Sequence, residues 1–242
     1  MDFTYDSYSG LLDCLRENNY DFCNYHDYNN HPQCVILRHD IDNKIEFALR
    51  LAEVEASKNV SSTYFVLLTS DFYNVVSPKN RSALKSIQSL GHEIGLHYDE
   101  TAYGLGQSPE FNIKKILNEA KILSEIIETP VSTVSMHRPS QRTLDADWQI
   151  PGMFNSYGKV FFRDFKFLSD SRRNWREPVI DIIKAGEYKR LHILTHAFWY
   201  HDSDEPMEKT VKDYITSANR ERYFQMKANI RALEEILNEN EV

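Results

Sequence analysis

Residues 34–44, CVILRHDIDNK, begin as an apolar run and pass, with no intervening turn residue, into Arg38, His39, Asp40 and Asp42. The run has the length and branched-residue content of a buried strand. Side chains alternate along a strand, so Asp40 and Asp42 fall on one face while His39 and Ile41 fall on the other. Two carboxylates at the end of a buried strand are costly unless a site is built around them, which directs attention to what other strand ends supply.

Further strand candidates are STYFVLL (62–68), HEIGLH (92–97), VSTVSMH (131–137), FKFLSD (165–170) and RLHILTH (190–196). Helical patterns separate many of them, at about 44–57, 80–90 and 109–128, and a further one is expected over about 205–240. Ser108 is the expected cap of the third, with Pro109 in its first turn. Strands alternating with helices predict an α/β class with a parallel sheet or barrel. The 242 residues suit one such domain spanning 1–242. Residues 139–165 mix Pro, Gly, aromatic and charged residues without a period and are expected to form a long excursion lining one face.

The apolar fraction of 41% and charged fraction of 26% exclude a disordered or fibrous chain. With 28 basic against 36 acidic residues the net charge is -8, which argues against nucleic-acid and anionic-membrane partners. Arg172, Arg173 and Arg176 are the nearest approach to a basic patch and read as a solvated loop. No apolar run approaches the roughly 20 residues that span a bilayer, and MDFTYDSYSG does not read as a secretory signal. Cys14, Cys23 and Cys34 are odd in number and lack metal-site spacing, so a reducing, cytoplasmic compartment is expected. Oligomeric state is not specified.

The chemistry gathers at the strand ends. Asp40 and Asp42 close the first strand, and His97, His137, Asp170 and His196 close four of the others. Parallel α/β folds build active sites at carboxyl ends of strands, so these residues are expected at one mouth. Alternation places His92 and His97 on opposite faces, and His97 is the inward candidate. His192 reads as structural, and His26, His31 and His201 as surface residues.

In order along the chain, RHDID, GHEIGLH, HRP, SDSRRNW and LTH resemble the motifs of the polysaccharide deacetylase family of metal-dependent carbohydrate esterases, over Arg38 to His196. The resemblance implies a distorted (β/α) barrel that hydrolyses an N-acetyl or O-acetyl group on a sugar. It implies Asp40 as base, Asp42 and His97 as metal ligands, Arg138 as the arginine orienting the base, Asp170 with Trp175 as a buttress, and His196 as general acid. The family's second motif carries another histidine four residues after the first, where this chain has Thr101. His137 or Glu100 is left as the third ligand. The expected cofactor is a divalent metal, zinc first, with Co, Ni, Mn or Fe also compatible. The expected partner is a carbohydrate or nucleotide-sugar substrate; Phe198, Trp199 and Tyr200 either stack on it or simply cover the barrel end. Two other readings are a metal-independent hydrolase of a non-sugar C–N bond and a non-catalytic glycan-binding protein.

Overall fold

In chain order the elements are α1 (Tyr5–Glu17), β1 (Asp21–Cys23), β2 (Cys34–Ile41), α2 (Ile45–Ser57), β3 (Thr63–Leu67), α3 (Pro78–Ser89), β4 (Glu93–Tyr98) and α4 (Pro109–Ile127). They continue as β5 (Thr133–Met136), α5 (Gln141–Ala146), β6 (Phe154–Asn155), α6 (Val160–Arg163), β7 (Lys166–Ser169), α7 (Val179–Ala185), β8 (Arg190–Thr195) and α8 (Met207–Asn229). The computed structural model describes residues 1–242 and divides into two compact units, Met1–Asp202 and Ser203–Val242.

All eight strands belong to one parallel sheet in the first unit, in the order β6-β5-β4-β3-β2-β8-β7, with β1 paired to the start of β2. The sheet curls strongly. Arg38 on β2 donates hydrogen bonds to Ser135 on β5, three strands away, and to Ser156 just past β6. This is the α/β barrel-like class expected from the sequence, with β6 and β7 as the two ends of the hydrogen-bonded order.

Strand alternation divides the packing into two layers. Val35, Leu37, Ile94 and Leu96 face outward and pack with Ala48, Leu51 and Leu84 of the covering helices in the main core. Each such fully buried Leu or Ile contributes roughly 1.5–3 kcal/mol. Inside the curl a smaller aromatic cluster forms from Tyr25, Ile36, Phe65, Phe161 and Phe165. Gly95 on β4 is required there, since a Cβ would stand 2.5 Å from the Phe65 ring and 2.6 Å from Thr133 Oγ1.

Helix starts follow local chemistry. Ser77 and Ser108 each accept a hydrogen bond from the first turn, and each is followed by proline. α1 and α7, and the short β1 and β6, have no counterpart in the sequence reading. The expected 139–165 excursion contains α5, β6 and α6. In the second unit, the helix expected over 205–240 ends at Asn229, because Ile230 is extended and Ala232 is left-handed at φ 60°. Nothing in the apolar spacing accounts for that break.

Glu119 of α4 is 3% exposed, accepts a 2.7 Å hydrogen bond from Tyr103, and leaves its other oxygen without a partner. Burial, reinforced by Asp99, pushes its pKa up to about 7. A folded pKa above the unfolded value means the stabilising contribution is complete below about 4.5 and lost as pH rises through about 7. Glu119→Gln should therefore gain stability relative to the parent between pH 5 and pH 8, by about 2–3 kcal/mol. Urea denaturation at both pH values checks this; a pH-independent difference would refute it.

Candidate active site

The carboxyl ends of β2, β4, β5 and β8 open into a cleft of about 770 Å³ whose lining includes Asp40, Asp42, His97, His137 and His196. All five are residues singled out from the sequence, brought together from four strands. Asp170 lies directly behind His196.

Asp40 is 5% exposed and sits on a guanidinium. That guanidinium is Arg38, whose Nη2 donates to Asp40 Oδ2 at 2.8 Å and to Ser135 Oγ at 2.8 Å, while Nη1 donates to Ser156 Oγ at 2.8 Å. Arg38 is fully buried between the rings of Phe65 and Tyr157, at 5.5 and 4.9 Å. Burial alone would raise the Asp40 carboxyl, but Arg38 first, then His97 and His196, hold it below its ordinary value.

Arg138 stands elsewhere. Its side chain is 75% exposed and its nearest carboxylate is Asp99, at 3.8 Å. Its backbone is left-handed at φ 45°, and the arginine on Asp40 is Arg38. The resemblance implies a guanidinium at this carboxylate from HRP, whereas RHDID supplies it. The signal was available: Arg38 is two residues before Asp40 and so shares its strand face.

On the other side of the cleft, His196 Nδ1 lies 2.6 Å from Asp170 Oδ1, and Asp170 Oδ2 accepts from the His196 backbone N–H at 3.0 Å. Asp170, fully buried, thus buttresses His196 rather than Asp40. His196 Nε2 is left facing the cleft, 4.0 Å from Asp42 Oδ2. Burial would lower the imidazole pKa, but Asp170, with help from Asp42 and Asp40, pushes it up to about 9. Trp175 is half-buried against the core.

Between these two lies a group of three donors. His97 Nε2 is 3.1 Å from His137 Nδ1 and 3.3 Å from Asp42 Oδ1, and His137 Nδ1 is 3.2 Å from the same oxygen. Burial would raise the Asp42 carboxyl, yet the facing His137 and His97 imidazoles, with His196, hold it below the carboxylate range. Three near-equal edges cannot all carry directed hydrogen bonds, because the atoms stand at the corners of a triangle. Asp42 Oδ1 is buried without a well-directed one. Donors bound to one ion at 2.0–2.1 Å in a tetrahedron are about 3.3 Å apart, so a carboxylate and two imidazoles at these separations fit a divalent metal.

Glu100 is occupied differently. Its oxygens accept from Ser140 N at 2.5 Å and Thr143 Oγ1 at 2.8 Å, tying down the start of α5. Thr101 donates through both its N–H and its hydroxyl to Asp99 Oδ1. Of the AFWYHD aromatics, Phe198 and Tyr200 are buried and only Trp199 lines the cleft, where Phe72 and Tyr157 join it. His92 and His192 are buried on protein partners, Ala52 O and Tyr25 respectively.

No protein-family model matches the chain, and no curated protein matches it. Solved structures similar to it include carbohydrate esterases, deacetylases and a pseudoenzyme. A family 4 carbohydrate esterase from Bacillus anthracis aligns over 87% of this chain and 85% of its own, at 14% identity and a TM-score of 0.47. The chitin deacetylase of the fungal pathogen Colletotrichum lindemuthianum aligns over 78% and 83%, at 14% identity and a TM-score of 0.47. A family 4 pseudoenzyme from Bacillus anthracis aligns over 78% of this chain and 62% of its own, at 14% identity and a TM-score of 0.44.

Proposed function

We propose that the protein is a hydrolase that removes an acetyl or similar acyl group from the nitrogen of an amino sugar or glycan precursor, including a nucleotide-linked one. The observation that carries this reading is the pairing of two proton-transfer groups across one cleft. A carboxylate is held ionised by a buried arginine, and an imidazole is fixed by a buried carboxylate, with a three-donor cluster between them.

Asp40 accepts the proton of the attacking water while the water oxygen bonds to the amide carbon. Arg38 keeps Asp40 charged and immobile for that task. The C–N bond then breaks, and His196 Nε2 delivers a proton to the departing amine. Asp170 holds the other imidazole nitrogen, so that Nε2 points at the substrate. A divalent ion on Asp42, His97 and His137 would supply Lewis-acid polarisation, chemistry that zinc, Co, Ni, Mn or Fe offers with such donors.

The three buried free thiols, Cys14, Cys23 and Cys34, suit a reducing compartment, and we place the activity in the cytoplasm. No helix is long and apolar enough to cross a membrane.

Release of acetate from N-acetylglucosamine oligomers and from nucleotide-linked N-acetylglucosamine tests the reading. Asp40→Asn should lower turnover about 10²–10⁴-fold, the range for a general base. Sugar binding with no acetate released from any amide would instead identify a non-catalytic glycan-binding protein.

A further inference from the structure

We propose that the cleft takes an anionic substrate, in which the amide is accompanied by a phosphate or carboxylate held at the rim by Arg172 and Arg176, with Arg138 adding positive charge to the same cleft. The proposal rests on the hydrolase reading only for the fate of the amide; the anion site stands on its own residues.

In a chain of net charge -8, all three arginines line the cleft. Arginines without a carboxylate partner are common on this surface, among them Arg16, Arg81 and Arg142, so what distinguishes these three is their shared place on the cleft. Here Arg172 and Arg176 form no ion pair, and Arg138 has only the 3.8 Å approach to Asp99. Asp170 and Glu177, near Arg172 and Arg176 in sequence, have other partners, and Asp99 offers Arg138 only its Oδ2. Both oxygens of Asp170 are taken by His196, Glu177 pairs with Lys166 at 2.6 Å, and Asp99 Oδ1 accepts twice from Thr101. The solvated loop expected of Arg172, Arg173 and Arg176 is thus divided: Arg173 lies over the Phe3 ring at 5.2 Å, whereas Arg172 and Arg176 border the cleft.

Arg138 and Arg172 leave the chain at left-handed turns, at φ 45° and 62°, as do Asn19, Asn59, Glu128, Asp147 and Ala232 away from the cleft, so the turns set where these arginines emerge without themselves marking a site. Arg138 follows β5 and Arg172 follows β7, near opposite ends of the sheet order, so the curl brings guanidinium groups to the rim from both sides. Guanidinium forks match phosphate and carboxylate oxygens in pairs.

Position along the cleft also matters. Asp40 and Asp42 at the floor repel an anion, and Asp71 lines the rim beyond β3. The charged group therefore belongs on the Arg172–Arg176 side, with the amide reaching inward. This selects a sugar carrying its amide and its anion on different carbons.

Calorimetric titration of the full chain, metal-loaded and chelator-treated, with N-acetylglucosamine 1-phosphate, N-acetylmuramic acid and neutral N-acetylglucosamine is the test. At least one charged probe should bind about tenfold or more tighter than the neutral one, and the two charged probes separate phosphate from carboxylate recognition. Arg172→Gln combined with Arg176→Gln should weaken the preferred charged probe by about 10–100-fold and shrink its advantage over the neutral sugar. Urea midpoints establish that the variant is folded. Equal or absent binding of all three probes, or wild-type affinity in the double variant, overturns the proposal. Charge-selective binding without acetate release leaves the anion site standing and overturns the hydrolase reading instead.

Discussion

Arg38→Met is expected to reduce acetate release by about 10²–10⁴-fold, as much as removing the base itself, and to destabilise the fold by about 3–5 kcal/mol. Arg38 is fully buried and donates to Asp40, Ser135 and Ser156. Its loss leaves Asp40, 5% exposed, without its guanidinium and with His97 Nε2 at 3.8 Å as the nearest imidazole. The carboxyl pKa then rises, and the protonated fraction cannot accept a proton from water. The stability loss comes mainly from stranding that carboxylate, so Arg38→Met combined with Asp40→Asn should recover part of it without recovering turnover. Double-mutant cycles by urea denaturation should show a coupling of about 1–3 kcal/mol, since the two groups touch. Additive stability losses, or a folded Arg38→Met chain within tenfold of the parent's turnover, would remove Arg38 from the assignment.

That arginine also marks how far sequence reasoning reaches. Strand ends were readable because buried parallel strands are short apolar runs and their terminal residues are unlike the rest. Alternation was readable too, and it correctly separates His39, which bonds Glu55 and Thr195 behind the sheet, from Asp40 within it. Alternation also puts Arg38 on the face of Asp40, so that pairing is legible; the motif resemblance points instead to Arg138, whose left-handed turn after β5 no pattern announces. The excursion over 139–165 was equally opaque, yet it delivers Ser156 and Tyr157 to the Arg38 guanidinium. α1 is not legible in YDSYSGLLDCLRE, which carries glycine, serines and tyrosines of modest helix propensity. It forms because Thr4 caps it and because Tyr8, Leu11, Leu12 and Leu15 bury one stripe.

Substituting any one of Asp42, His97 or His137 is expected to abolish stoichiometric binding of a divalent metal, whereas Glu100→Gln should retain it. The contrast follows from occupancy. Asp42 Oδ1, His97 Nε2 and His137 Nδ1 face one another at 3.1–3.3 Å with no protein group between them, while both Glu100 oxygens are engaged by Ser140 and Thr143. Loss of one of three protein donors should raise the dissociation constant for Zn²⁺ at least 10²-fold, beyond the roughly 10–100-fold typical of outer-shell changes. Glu100→Gln should act on stability instead, because it weakens the tie between β4's end and α5. Metal content by mass spectrometry after chelation and reloading, with Zn²⁺ titration calorimetry, reads binding without reference to turnover. Thr101 sharpens the test: its hydroxyl and N–H both serve Asp99, so Thr101→Val should leave metal affinity within about threefold. Unchanged affinity in His137→Ala would mean that the triangle is an imidazole–carboxylate cluster and that His137 is not a metal ligand.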